Sequence, residues 1–271
     1  MQILFGDWRG RAACKSHRNM PRHSTSSGGF WFKMMNNGPV YSAHQLHYLP
    51  WLAYFFKIQA ADKFVFADDV QYKSHNFINR AQIKTAGGKQ WLTIPVLTKG
   101  KQAQLIRDVR INTEINWRRK HWKSLIVNYK TAPWFEKYAD FFAEFYAKNW
   151  TFLFDANFAA MKFLLEALSI KTNYFLSSEF DLEPGRTERI IDMGLRLQCR
   201  TYLSGPSGKK YMDLGLFEKN RIGVEYLQFQ HPQYSQQFGV FQPAMSVIDL
   251  LFNEGPNAGE ILAKGKETMR Q

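Results

Sequence analysis

His44 and His47 stand three positions apart between a β-prone stretch and an aromatic, helix-forming one. Imidazoles in such a place can relay protons or steady negative charge at neutral pH, and Gln45 beside them adds a hydrogen-bonding amide for a substrate. The plain alternative is a His44 that ends the strand and a His47 on the surface. The adjacent acids Asp68 and Asp69 follow a second β-prone run. A carboxylate there can hold Mg²⁺, accept a ribose hydroxyl or deprotonate an attacking amine, or it can cap the next turn. Gln71, Asn79 and Arg80 form a polar group in an expected loop. Arg80 can clamp a carboxylate or phosphate through two parallel hydrogen bonds, or serve a structural ion pair.

Later in the chain, Ser204, Gly205, Ser207, Gly208, Lys209 and Lys210 follow an expected strand, a composition suited to wrapping anionic oxygens. The order Gly-x-x-x-x-Gly-Lys-Ser/Thr is missing, so this is not a Walker A loop. Ser177 and Ser178 offer hydroxyls at another strand end or cap a helix. His231 and Tyr234, with Gln236, are candidates for a sugar or amino-acid site, set against a packed, hydrogen-bonded His231. Cys199 has no base partner visible in the sequence, so thioester chemistry lacks support, and no Cys/His cluster suggests a resident metal.

The elements that must position these groups follow from periodicity. Residues 40–43 come after Gly38-Pro39 and read as a strand. Pro50 suits the first turn of a helix, in which Trp51, Leu52, Tyr54, Phe55, Ile58 and Ala61 recur at near-helical spacing. Residues 64–67 read as a second buried strand. Such a strand–helix–strand unit is most economically a right-handed parallel crossover, whose ligands collect beyond the carboxyl ends of its strands. His44 to His47 and Asp68 to Gln71 are therefore expected at one rim. The loop before Pro50 also meets the amino end of the helix, where unpaired N–H groups favour phosphate or carboxylate. This arrangement of two histidines is similar to the strand–loop–helix motifs of nucleotidylyl and adenylyl transferases.

Residues 90–96 and 105–111 alternate as strands around a polar loop at 98–104, so a hairpin or edge addition is expected. Residues 117–168 read as helical, with breaks near Pro133 and Trp150, and their crowded aromatic residues read as core. Strands at 173–176, 201–203 and 224–229, with helices at 187–197 and 247–252, restore the alternation. The expected class is α/β, a mainly parallel sheet flanked by helices with a helical insertion in the middle of the chain. Residues 34–271 are expected to form one domain.

The chain has 271 residues, 45% of them hydrophobic and 22% charged, a composition that excludes a wholly disordered or collagen-like protein. No apolar run reaches the roughly 18 residues of a membrane-spanning helix, and Lys57, Asp62 and Lys63 interrupt the best candidate. Two cysteines fit a reducing cytoplasm. The net charge of +13 suggests an anionic partner such as nucleic acid, a membrane surface or a phosphorylated metabolite. Part of it lies in residues 1–33, where six basic residues face only Asp7. With their Ser/Gly-rich run and the following Met34-Met35, residues 1–33 are expected to be a basic disordered tail or an over-extended start.

The segment His44-Gln45-Leu46-His47-Tyr48-Leu49-Pro50-Trp51-Leu52-Ala53-Tyr54-Phe55 resembles the opening signature of the WbqC-like family. Later segments resemble it in order: Asp69-Val70-Gln71, Asn79-Arg80, residues 91–96, Ser177-Ser178, residues 202–205, residues 231–234 and residues 246–255. Family members occur in O-antigen and related polysaccharide clusters, and a glycine-transferase role has been suggested for them. The resemblance thus implies aminoacylation of a sugar, and it favours Asp69 over Asp68. This chain departs from the pattern at Leu46, where proline is usual, at Ala53, where glycine is usual, and at His47, where asparagine is common. The first departure bears on the loop exit after the strand, and the third supplies a second imidazole.

The leading expectation is a cytoplasmic transferase moving a small acyl or aminoacyl group onto a nucleotide sugar or related polysaccharide precursor. His44 and Asp69 are its catalytic candidates. Gln45, His47, Gln71, Asn79, Arg80, Ser204, Lys209, Lys210, His231 and Tyr234 are its binding candidates. The donor stays open: an ATP-made adenylate, with Mg²⁺ arriving on the nucleotide, explains a phosphate pocket, whereas charged tRNA would use the basic surface. No nucleic-acid-binding motif accompanies that charge. The alternative is a non-catalytic nucleotide-sugar or polysaccharide-binding component of an envelope biosynthesis system.

Overall fold

Short apolar runs build the centre of the sheet. The computed structural model describes residues 38–74, 76–101 and 103–266; the expected tail at residues 1–33 and the Met34-Met35 pair lie outside the described residues. β1 (Val40–Gln45) and β2 (Lys63–Ala67) are joined by helix α1 (Leu52–Gln59) and run parallel, with Gln45 opposite Ala67. In β2, Phe64 and Phe66 enter one apolar layer while Val65 enters the other, the alternation of a strand buried on both faces.

β3 (Arg80–Thr85) and β4 (Gly88–Thr93) form a separate antiparallel hairpin. This corrects the expectation that residues 90–96 pair with 105–111, and it moves Arg80 from a loop onto a strand. Ile106–Asp108 is a single 3-10 turn, and only an isolated Val96–Ile111 bridge joins the two stretches. The local pairing wins because a tight turn closes little chain. Gly88 permits it with a φ of 106°, which a residue with a Cβ adopts only under strain.

The helical insertion consists of α2 (Trp117–Tyr129), α3 (Phe135–Ala147) and α4 (Leu153–Ala167), broken near Pro133 and Trp150 as expected. Its aromatic residues are largely core: Phe135, Tyr138, Phe142 and Phe145 are buried. The chain continues through β5 (Asn173–Leu176), α5 (Thr187–Arg196), β6 (Thr201–Ser204), α6 (Leu214–Lys219) and β7 (Gly223–Tyr226). It closes with α7 (Val247–Glu254) and α8 (Ala258–Ala263).

The main sheet has the order β5-β2-β1-β6-β7, with every neighbouring pair parallel. This is the expected α/β class. One core layer joins the hairpin, α1 to α4, α7 and α8; on the opposite face Tyr41, Val65, Cys199 and Tyr202 pack with α5 and α6. The chain fills one side of β1 first, with β2 and β5, then crosses to the other with β6 and β7. The strand order therefore reverses between β1 and β6. No helix among the described residues is long and apolar enough to cross a membrane.

Candidate functional site

At the reversal point β1 and β6 part early. Their ladder covers only Val40–Thr201 and Tyr41–Tyr202, whereas β1 stays paired with β2 as far as Gln45. Beyond the ladder, the Ser42 hydroxyl donates to the Leu203 carbonyl at 2.6 Å, and the Lys57 ammonium of α1 donates to the Ala43 carbonyl at 2.8 Å. Lys57 is buried without a carboxylate partner in any ion pair of the described residues. Burial brings its pKa down to about 7.

The two histidines sit beyond this end of the β1–β6 ladder. Their rings meet edge to face at 4.7 Å, and Tyr54 packs 4.9 Å from His44 and 5.3 Å from His47. The Tyr54 hydroxyl donates to the Gln45 carbonyl at 2.8 Å, fixing the strand exit. His44 Nδ1 lies 3.2 Å from the same carbonyl oxygen. Burial, and then the Lys57 charge, lower the His44 pKa to about 3. His47 is only 2% exposed, and neither of its ring nitrogens has a hydrogen-bond partner among the described residues. Burial, and then His44, hold it well below the usual histidine range. At neutral pH both rings are therefore uncharged, each with one donor and one acceptor nitrogen.

The loop carrying His47 is held in a costly shape. Leu49, buried and followed by Pro50, adopts a φ of 40°. A non-glycine residue in this region costs roughly 1–3 kcal/mol and persists only where its surroundings enforce it. Tyr48 provides that enforcement: its hydroxyl bonds to Tyr146 and to His121 Nδ1, at 2.5 and 3.0 Å, and its N–H donates to the Phe77 carbonyl at 3.3 Å.

On the β6 side, buried Ser204 donates its hydroxyl to the Gly205 carbonyl at 3.0 Å. Gly208 packs so closely that a Cβ there would lie 2.0 Å from the Ser204 oxygen. Exposed Lys209 and Lys210 end this turn, and the Lys209 ammonium lies 4.7 Å from the centre of the Tyr226 ring at the end of β7. On the β2 side, buried Asp68 accepts from the Ser178 N–H at 3.0 Å, the Ser178 hydroxyl at 2.6 Å and the Ser177 hydroxyl at 3.0 Å. It ties the end of β2 to the end of β5. Asp69 shares the single Ser177 hydroxyl proton with Asp68 and forms an ion pair with Arg189 of α5.

The remaining candidates stand elsewhere. Gln71 forms a backbone bridge with Leu105. The Asn79 side-chain amide donates to the Ile94 carbonyl at 2.8 Å. The Arg80 guanidinium lies 4.3 Å from the centre of a Trp91 ring. Tyr234 and Gln236 each donate at 2.7 Å to Asp249 on α7, which also accepts from Tyr129 at 2.8 Å. The Ala244 N–H donates to His231 Nε2 at 3.2 Å, which leaves the ring proton on Nδ1, 2.9 Å from the Pro232 carbonyl. His231 and Tyr234 thus fasten the irregular segment after β7 onto the core.

The structure accordingly gathers His44, Gln45, His47, Ser204, Lys209, Lys210 and Asp69 along the carboxyl edge of one sheet, and puts Asn79 and Arg80 at the hairpin. Sequence reasoning missed Lys57 and Arg189. The signal for Lys57 was a single lysine in the apolar run Leu52–Gln59. Two surface clefts of about 290 and 450 Å³ lie in the helical insertion, around Trp117 and Phe158, and neither is lined by a candidate residue. Among the described residues no cluster of three or more His, Cys, Asp or Glu is arranged to hold a metal. Cys199 is buried, and its thiol is pushed up by burial.

Against known proteins, the model of the WbqC-like protein family matches residues 45–261. The chain belongs to this family. The uncharacterised protein Rv1507c of Mycobacterium tuberculosis is 36% identical over 220 residues, covering 80% of this chain and 95% of the relative. No solved structure matches. The WbqC-like match takes in Gln45, Lys57 and the Lys209–Lys210 turn, with His44 immediately ahead of it.

Proposed function

We propose that this WbqC-like protein is a cytoplasmic transferase that holds a nucleotide-linked sugar at the carboxyl ends of β1 and β6 and moves a small acyl or aminoacyl group, such as glycyl, onto it. The carrying observation is the parting of β1 from β6 where the strand order reverses, with His44, His47 and Lys57 gathered beside the gap. Open parallel sheets bind ligands at such switch points.

Lys209 and Lys210 supply cationic donors for phosphate oxygens, and the uncharged His44 and His47 rings supply one donor each. An amine with a pKa of about 7 is matched to general-base work at neutral pH. In the transfer, the acceptor's amino or hydroxyl group attacks the acyl carbonyl. Its proton passes to Lys57, and the donor's leaving group departs with the electrons of the broken acyl bond. An acyl adenylate suits a phosphate-binding crevice as donor. Mg²⁺ would arrive on the nucleotide. Charged tRNA, the other donor, would use the basic surface.

The engagement of Asp69 by Arg189 favours a second reading, a non-catalytic nucleotide-sugar or polysaccharide-binding component of envelope biosynthesis. Untargeted comparison of nucleotide sugars in cells with the gene, without it and with Lys57→Met separates the two. Transfer requires an unmodified nucleotide sugar to accumulate in both the deletion and Lys57→Met cells. If Lys57→Met protein binds nucleotide sugar and restores the normal pool, the binding reading stands.

A further inference from the structure

The β3–β4 hairpin has two unlike faces. Ala81, Ile83 and Leu92 point into the core, while Arg80, Gln82, Trp91 and Thr93 share the other face, with Arg80 opposite Thr93 and Gln82 opposite Trp91. Trp91 remains 40% exposed. The Arg80 guanidinium lies 4.3 Å from the centre of its ring, and Phe77 packs 5.6 Å away. Phe77 in turn lies 4.7 Å from Trp51 and 6.2 Å from His47. An aromatic wall therefore runs from the buried His47, whose ring nitrogens lack partners, to an exposed indole in two ring-to-ring steps.

We infer that this wall is the subsite for the base of the nucleotide whose phosphates occupy the β1–β6 crevice. The inference rests on the proposed function and extends it by naming the hairpin as the reader of the base. Flat indole and phenyl rings offer stacking area to a flat base. Arg80 and Gln82 project from the same face as Trp91, where they can bond to the edge of a stacked ring. Neither β3 nor β4 contains a carboxylate to accept the hydroxyl hydrogens of a sugar. Arg80 offers donors only, and the Gln82 amide offers both a donor and an acceptor, so the face can pair with the edge of a stacked base, whether it displays carbonyl oxygens or ring nitrogens and an amine.

Isothermal titration of the full chain with uridine diphosphate and inorganic pyrophosphate tests this. Wild-type protein is expected to bind uridine diphosphate at least about 10-fold more tightly than pyrophosphate, the size of one base stacked on an aromatic ring. Trp91→Ala should remove most of that advantage without changing pyrophosphate affinity, and Trp91→Phe should restore most of it. If both ligands bind and Trp91→Ala leaves the advantage intact, the base subsite is wrong while the crevice stands. If neither uridine diphosphate nor pyrophosphate binds, crevice and subsite fall together. Binding of a single-stranded oligonucleotide alone, lost in Trp91→Ala, would overturn the inference in favour of a nucleic-acid surface.

Discussion

Replacing His47 with leucine should make the protein more stable and its crevice less able to bind. The imidazole is 2% exposed, and both ring nitrogens lack partners. Leaving a buried donor or acceptor unpaired costs about 1–3 kcal/mol each. Leucine is close to histidine in volume and removes both groups, at the loss of three ring contacts, with Trp51, Tyr54 and Phe77, each worth about 0.5–1.5 kcal/mol. The balance is a stabilisation of about 1 kcal/mol, or about 2–4 °C in Tm. Urea unfolding at pH 7.5 measures the first effect and pyrophosphate titration the second. A variant less stable than wild type by about 1 kcal/mol or more, with undiminished pyrophosphate affinity, would show that the imidazole is satisfied in the native protein. The reasoning from its unpaired nitrogens would then be refuted.

Other outcomes follow from the same geometry. His44 has a folded pKa of about 3, below the ordinary 6.5, so the unfolded chain binds more protons as pH falls through that window. Between pH 8 and pH 5 wild type should lose about 2 kcal/mol through this ring alone, and His44→Leu should show that much less acid sensitivity in urea titrations. Lys57, at about 7 folded against an ordinary 10.5, acts with the same sign in a higher pH range. Stability is lost as pH falls from 10.5 towards 7, so wild type should gain about 2 kcal/mol from pH 7 to 9 relative to Lys57→Met. Arg189→Ala should cost about 1–3 kcal/mol in thermal unfolding by leaving the Asp69 charge without its cation, and Asp69→Asn in that background should recover part of it. Gly208→Ala should cost about 1–3 kcal/mol and weaken pyrophosphate binding, because the new Cβ would drive Ser204 and the Lys209–Lys210 turn apart.

The β1–α1–β2 unit was legible because each part has a local signature: a turn before Val40, Pro50 ahead of an apolar helical period, and four buried residues before Asp68. Parallel pairing then put the histidine loop and the acidic pair at one rim. The crevice itself carries no local pattern. It depends on β1 leaving β6 after Tyr41, a fact of register between segments far apart in the chain, such as Ser42 and Leu203. Asp69 and Arg189 pair across a similar distance, so a carboxylate that looks available in sequence is engaged in the fold. The hairpin was misread because residues 90–96 and 105–111 both alternate, and periodicity does not say which partner a strand takes. Lys57 looked like an interruption of an apolar helix, and its burial is what gives it chemical interest.

Hydrogen–deuterium exchange of the full chain, with and without saturating uridine, guanosine and thymidine diphosphate sugars, tests the switch-point site most directly. The account expects at least one of these ligands to slow exchange together at residues 44–57 and 203–211, the two sides of the gap between β1 and β6. Protection confined to the clefts around Trp117 and Phe158, or no saturable protection with any of them, would contradict it.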